Sequence, residues 1–178
     1  MTTEADAFSI QLLDEAKRFM EKGSVGSTDE RNAYLHAALI VGFSALESHL
    51  NGIADELSTR PQTSLLDNSL LLEREVKIDK GEWQLGREKF FRLEDRISFL
   101  IAQYAKRTPS SYAWWSDLLS GIKERNALVH PREVVVLTPA DVERFLSAIV
   151  DSLNDLYVAV FGKGHPSFKR GLQSTMSF

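Results

Sequence analysis

The chain has 178 residues, about one domain by the usual length prior, with 43% apolar and 26% charged residues, five Pro and ten Gly. Those values exclude a disordered or collagen-like chain and leave room for one substantial core. With no Cys and four scattered His, disulfides, thiol nucleophiles and a zinc cluster drop out, and a net charge of −4 excludes indiscriminate binding to polyanions.

The start, from Met1 to Asp6, is acidic where a secretory leader would be basic. The longest nearly apolar stretch, Ala37 to Leu46, is about half the roughly 20 residues a membrane span needs, so a cytoplasmic protein without membrane contact is expected. Apolar Phe8, Leu12, Leu13, Ala16, Phe19 and Met20 recur three and four apart and predict a first helix from about Thr3 to Lys22, with Gly23 as its stop. Ser27 and Glu30 have the form of a capping box, in which each side chain satisfies the other residue's backbone amide. They open a second helix to about Thr59, whose Leu35, Leu39, Gly42, Leu46, Leu50, Ile53 and Leu57 form a near-heptad seam that requires a partner.

Arg60-Pro61 ends that helix, and the next 25 or so residues offer an apolar knot at Leu70 to Leu72 and a hairpin signal at Asp79-Lys80-Gly81. Phe90, Leu93, Ile97, Leu100 and Tyr104 predict a third helix over about 87–107, before Pro109. A fourth carries Trp115, Leu118, Leu119, Ile122 and Val129 from about Ser111 to His130, where Pro131 disfavours further helix. After the β-branched Val134 to Val136, Thr138-Pro139-Ala140-Asp141 is a strong helix start, and the fifth helix runs to Gly162. The sum is an all-α bundle of about five helices over 1–162, with no convincing sheet. Residues 163–178 carry Lys163, Lys169 and Arg170 without an acid and are expected as a basic, solvated C-terminal tail.

Glycine-rich phosphate loops, metalloprotease helices and nucleophile elbows are missing from the sequence. One string carries chemistry: Glu124-Arg125-Asn126-Ala127-Leu128-Val129-His130-Pro131. Asn126 and His130 are four apart and share a helix face, so the amide is placed to fix the imidazole, whereas Arg125 lies about 140° around the axis from His130. Two such helices facing across a twofold axis would bring two Arg and two His together. A second copy, Arg31-Asn32 to His36, sits early in the second helix and continues into apolar Ala37 and Ala38; it is taken as structural, because its histidine is not released at a helix end.

The Arg125-Asn126-x3-His130 string resembles the R-x4-H signature of the HEPN superfamily of helical-bundle proteins. Many members are metal-independent endoribonucleases of toxin–antitoxin and antiphage systems. The resemblance implies an all-α, HEPN-like fold, a homodimer, and a shared cleft holding Arg125 and His130 of both chains as catalytic residues. Asn126 and Glu47 would support them, the latter because Phe43 to Asn51 is similar to the Glu-bearing long helix of some members. Arg132 stands where some members carry a Tyr modified by an antitoxin, so an antitoxin or other regulatory protein is a less definite partner than RNA.

In such an enzyme no cofactor or metal is needed. A neutral imidazole accepts the proton of the RNA 2′-hydroxyl, and a bidentate guanidinium stabilises charge on the phosphate. The products would be a 2′,3′-cyclic phosphate and a 5′-hydroxyl. Lys123 and Arg132 are the candidates to hold flanking phosphates. The competing expectations are a non-catalytic dimeric interaction module and a nucleotide-binding module without turnover.

Overall fold

The structure, a computed structural model, describes residues 4–178; the predicted helix start at Thr3 lies outside them. Six helices and one hairpin follow in the order α1 Glu4–Val25, α2 Thr28–Ser58, α3 Leu65–Leu71, β1 Arg74–Asp79, β2 Glu82–Glu88, α4 Leu93–Leu100, α5 Trp115–Val129 and α6 Pro139–Phe161. Helical class is as expected, but the chain is not purely α: β1 and β2 pair antiparallel about the Lys80-Gly81 turn, with Ile78 opposite Trp83 and Val76 opposite Leu85. Both turn residues have φ in the left-handed region, 51° and 88°, as a two-residue hairpin turn demands.

Around α2 the bundle assembles in layers. Its N-terminus is capped as the sequence indicates, the Glu30 carboxylate accepting from Ser27 N and Oγ at 3.0 and 2.6 Å. All seven positions of the predicted seam are buried. Their partners lie within the chain: α1 runs antiparallel to α2, bringing Gly23 against Leu35, Ala16 against Gly42 and Ser9 against Ser48, and α6 closes the other side. Gly42 is where α1, α2 and α6 converge, for a Cβ there would stand 2.4 Å from Leu146 Cδ2. Gly121 does the same for α5, with Phe43 and Phe145 within 3.2 Å of a Cβ. By length and apolar content α2 passes for a membrane span, a property hidden by reading only Ala37 to Leu46, but 56% of that window is buried inside the bundle.

Several boundaries differ from expectation, among them the start of α5 at Trp115 rather than near Ser111, which lies in a 3-10 turn, Pro109–Ser111. Helix α1 continues through Gly23 to Val25; that glycine serves close packing against the Leu35 side chain, where a Cβ would clash, and not a helix stop. The predicted 87–107 helix begins only at Leu93 and ends as a π turn, Ile101–Ala105; residues up to Glu88 belong to β2, and Phe90 is 84% exposed rather than on the core stripe. The apolar knot becomes α3, capped by Ser64 and Asp67, while Val134 to Val136 forms no strand. In contrast, α6 starts on Thr138, whose hydroxyl accepts from Asp141 N at 3.2 Å, and ends at Gly162 with φ 70°.

Residues 163–178 are not a free basic tail. They fold back on α1: the Asp14 carboxylate accepts from Thr175 N at 3.1 Å, Ser174 Oγ donates to Asp14 O at 3.0 Å, and the Phe178 ring meets Phe19 edge-on at 5.6 Å.

Candidate active site

Helix α5 reaches the motif through a core side formed by Leu118, Gly121 and Ile122, which fixes how its last turns face α2. Arg125 turns toward α2, where its Nη2 pairs with the Glu47 carboxylate and its guanidinium carbon lies 5.8 Å from the centre of the Phe43 ring. Phe43 and Glu47 are one helical turn apart, so a single face of α2 supplies both the apolar contact and the counter-charge. Burial lowers the guanidinium pKa from its ordinary value. Arg125 Nη1 also donates to Asn126 Oδ1 at 3.1 Å.

These three side chains line a cleft of about 460 Å³ together with Ile122 and the segment Phe91, Arg92, Leu93 and Glu94. Of the residues the sequence singled out, Glu47, Arg125 and Asn126 thus share one cleft, the ion pair reaching across 78 residues of chain. It missed the 91–94 wall, whose signal was the aromatic and basic run Lys89 to Arg92 hidden inside a presumed helix.

His130 stands elsewhere. It caps α5, its backbone amide donating to Asn126 O at 2.9 Å, and its side chain is exposed with no hydrogen-bond partner among the described residues. It does not line the Arg125 cleft. Asn126 does not bind the His130 ring; its side-chain oxygen accepts from Arg125 instead. Five residues of helix separate Arg125 from His130 by about 7.5 Å along the axis as well as by the angle between them, and Arg125 is held toward Glu47 while His130 lies outside the cleft. Lys123 and Arg132 are also exposed and outside the cleft lining; Lys123, Asn126 and His130, spaced three and four apart, share the outward stripe of α5.

The earlier copy of the motif has a packing role. His36 Nε2 is 3.1 Å from the Val135 carbonyl oxygen, fastening the 131–138 connection to α2, and Arg31 Nη2 donates to Gly26 O at 3.4 Å.

A second polar cluster was not anticipated. His49 and His165 are each 3% exposed and meet edge-to-face at 4.6 Å, with Tyr157 Oη 3.3 Å from His49 Nδ1. Burial pushes His49 down to about 4 and His165 to about 3, the latter helped by His49, Lys17 and Arg170 nearby. Lys17, fully buried on the core stripe of α1, has its pKa lowered chiefly by burial. Its Nζ, His49 Nε2 and His165 Nε2 have no hydrogen-bond partner among the described residues. The only sequence signal was a Lys among the apolar spacings of α1, since His165 lay in the segment expected to be solvated.

No family model matches the chain, and neither a curated protein nor a solved structure matches it at a significant level.

Proposed function

We propose that the chain is a metal-independent endoribonuclease of the HEPN type, working as a homodimer in a toxin–antitoxin or antiphage setting. The observation that carries this reading is the Glu47–Arg125 ion pair. The carboxylate singled out on the long second helix for its likeness to HEPN members meets the arginine of the R-x4-H string, beside an open cleft and one helix end away from an exposed histidine.

Arg125 serves as the phosphate ligand. Glu47 holds one amino group and Asn126 another, which aims the rest of the guanidinium edge into the cleft and limits its rotation. His130 is the general base. Because it lies on the outward stripe of α5, it joins an Arg125 through twofold pairing of that stripe, which also carries Leu119, 38% exposed, and Val129, 47% exposed. The imidazole takes the proton of the 2′-hydroxyl; the 2′-oxygen attacks phosphorus; the bond to the 5′-oxygen breaks; and that oxygen takes a proton from His130 of the partner subunit. Charge on the nonbridging oxygens is met by Arg125, and Lys123 and Arg132 hold neighbouring phosphates.

The test is cleavage of single-stranded RNA in EDTA, with product ends analysed. His130→Ala and Arg125→Ala should each abolish cleavage. His130 is exposed, so its loss should change stability by less than about 0.5 kcal/mol. Cleavage at the wild-type rate by both variants would refute the assignment, and nucleotide or RNA binding without cleavage by the wild type would favour the module without turnover.

A further inference from the structure

The hairpin and the segment that follows it carry a surface that the cleavage site alone does not account for. Between Arg74 and Arg92 there are six Lys or Arg against four acids, while the whole chain is net −4. Interleaved with these cations are two aromatic rings left in water, Trp83 at 66% and Phe90 at 84% exposure.

The exposure of Phe90 is imposed by the backbone. On one side Lys89 N donates to Glu73 O at 2.8 Å; on the other Phe91 N donates to Glu73 Oε1 at 3.1 Å. Glu73 is itself clamped by Arg96 Nη1 at 3.0 Å, and Arg96 Nη2 donates to Asn51 Oδ1 at 2.8 Å, so α2 and α4 together fix the loop. With both flanking amides pinned inward, the Phe90 side chain stands outward between Lys89 and Arg92. Trp83, paired across the hairpin with Ile78, presents a second ring about 23 Å of extended chain away.

This surface is continuous with the Arg125 cleft. Phe91 lines both that cleft and a larger one of about 850 Å³ beneath the hairpin, whose wall includes Arg87 and Lys89. Cations that track a backbone, alternating with outward aromatic faces on which bases stack, are the chemistry by which single-stranded nucleic acid is held without base readout.

We propose that the β1–β2 hairpin and residues 89–92 form the entry track for single-stranded RNA, with bases stacking on Phe90 and Trp83 and phosphates meeting Lys89 and Arg92 on the way to Arg125. The inference rests on reading the Arg125 cleft as a phosphate site. It extends that reading by assigning substrate grip to residues distant from the chemistry and by selecting unpaired over duplex RNA.

The experiment measures binding separately from cleavage. A fluorescein-labelled, 2′-O-methyl RNA of about 12 nucleotides, which has no free hydroxyl to attack, is titrated into the full chain and its variants by anisotropy. Phe90→Ala and Trp83→Ala should each weaken binding about tenfold, and Lys89→Ala should lower the salt slope by about 0.7. A self-complementary duplex should compete poorly. Thermal unfolding of each variant separates lost grip from lost fold.

If the wild type binds but does not cut RNA and the hairpin variants release it, the track stands while the nuclease reading falls. If the wild type cuts and the hairpin variants bind and cut equally well, the track falls while the nuclease stands. Unchanged RNA affinity with loss of the dimer on sedimentation would make the hairpin a protein contact and overturn the proposal, as would failure of the wild type to bind the oligonucleotide.

Discussion

Lowering the pH from 7.5 to 5 should remove about 4 kcal/mol of folding stability through two histidines. His49 and His165 are 3% exposed, and their pKa values lie near 4 and 3 against roughly 6.5 in an unfolded chain. Because the folded values are depressed, the unfolded state takes up protons first as pH falls, and stability drops with it. At pH 5 the folded rings are still neutral, so the loss depends on the unfolded value and comes to about 2 kcal/mol per ring. The neighbours reinforce the sign for His165, since Lys17 and Arg170 repel its proton, while Asp6 opposes it modestly for His49. Asp151, raised by burial and by Asp155, pulls the other way; Glu30 and Asp141, lowered by their cap hydrogen bonds, act mainly below pH 5. Urea unfolding followed by circular dichroism at several pH values measures the slope directly. Replacing either histidine by Leu should halve the acid loss whatever it does to stability at neutral pH. A stability that is level from pH 7.5 to 5, or an undiminished slope in both variants, would refute the reasoning.

Four other outcomes follow from single contacts. Gly42→Ala should lower stability by about 1–3 kcal/mol, read from the thermal midpoint, because a Cβ would stand 2.4 Å from Leu146 Cδ2 in a filled core. Arg96→Met should cost about 3 kcal/mol by stranding Glu73, and amide exchange at Lys89 and Phe91 should accelerate as their anchor loosens. Asp14→Ala should cost about 2 kcal/mol through its hydrogen bonds to Thr175 and make the chain beyond Gly162 sensitive to trypsin at Lys169 and Arg170. Glu47→Gln keeps a hydrogen-bonding partner for Arg125 but removes a negative charge beside the phosphate, so KM for RNA should fall while kcat persists; Glu47→Ala, which leaves the guanidinium free to rotate, should instead lower kcat.

The parts of the fold legible in the sequence are those where local chemistry and tertiary packing agree. Ser27 with Glu30 and Thr138 with Asp141 announce α2 and α6 because cap residues act within four positions of themselves, and the Leu35 to Leu57 seam is buried along its whole length. Asp79-Lys80-Gly81 gives the hairpin turn, yet the strands beside it read weakly because their exposed faces carry charges on both sides. The boundaries that failed depend on distant residues. Gly23 is a glycine for its packing against Leu35 rather than as a helix stop, and Phe90 leaves the helical period because Glu73 captures the amides on either side. For the candidate site, the spacing of Arg125, Asn126 and His130 pointed to the end of α5 and the likeness around Glu47 to α2; Glu47 pairs with Arg125, and His130 lies outside their cleft. What spacing could not give was the 91–94 wall, which reaches α5 through a loop, or the pairing of His49 with His165 across 116 positions of chain.

The Glu47–Arg125 pair is hard to explain by stability alone. Side-chain exposures of 24% for Arg125 and 41% for Glu47 mean that both groups gave up part of their hydration. A pair so placed gains about what it loses, and well-packed apolar side chains in the same space would hold α5 against α2 as firmly. Phe43 beneath the guanidinium shows that an apolar contact was already at hand. Elsewhere the same two helices are tied to the bundle at lower electrostatic cost, by Gly121 packing on Phe43 and by the indole of Trp114 donating to Asp155 at 2.7 Å. A cation held half in water, in a cleft, by a carboxylate and an amide that fix its orientation is therefore consistent with the proposed binding group and poorly suited to a strut. The same logic separates it from Arg96, whose side chain is 8% exposed and held by Glu73 and Asn51: that arginine shapes the loop, whereas the proposal assigns Arg125 to a phosphate.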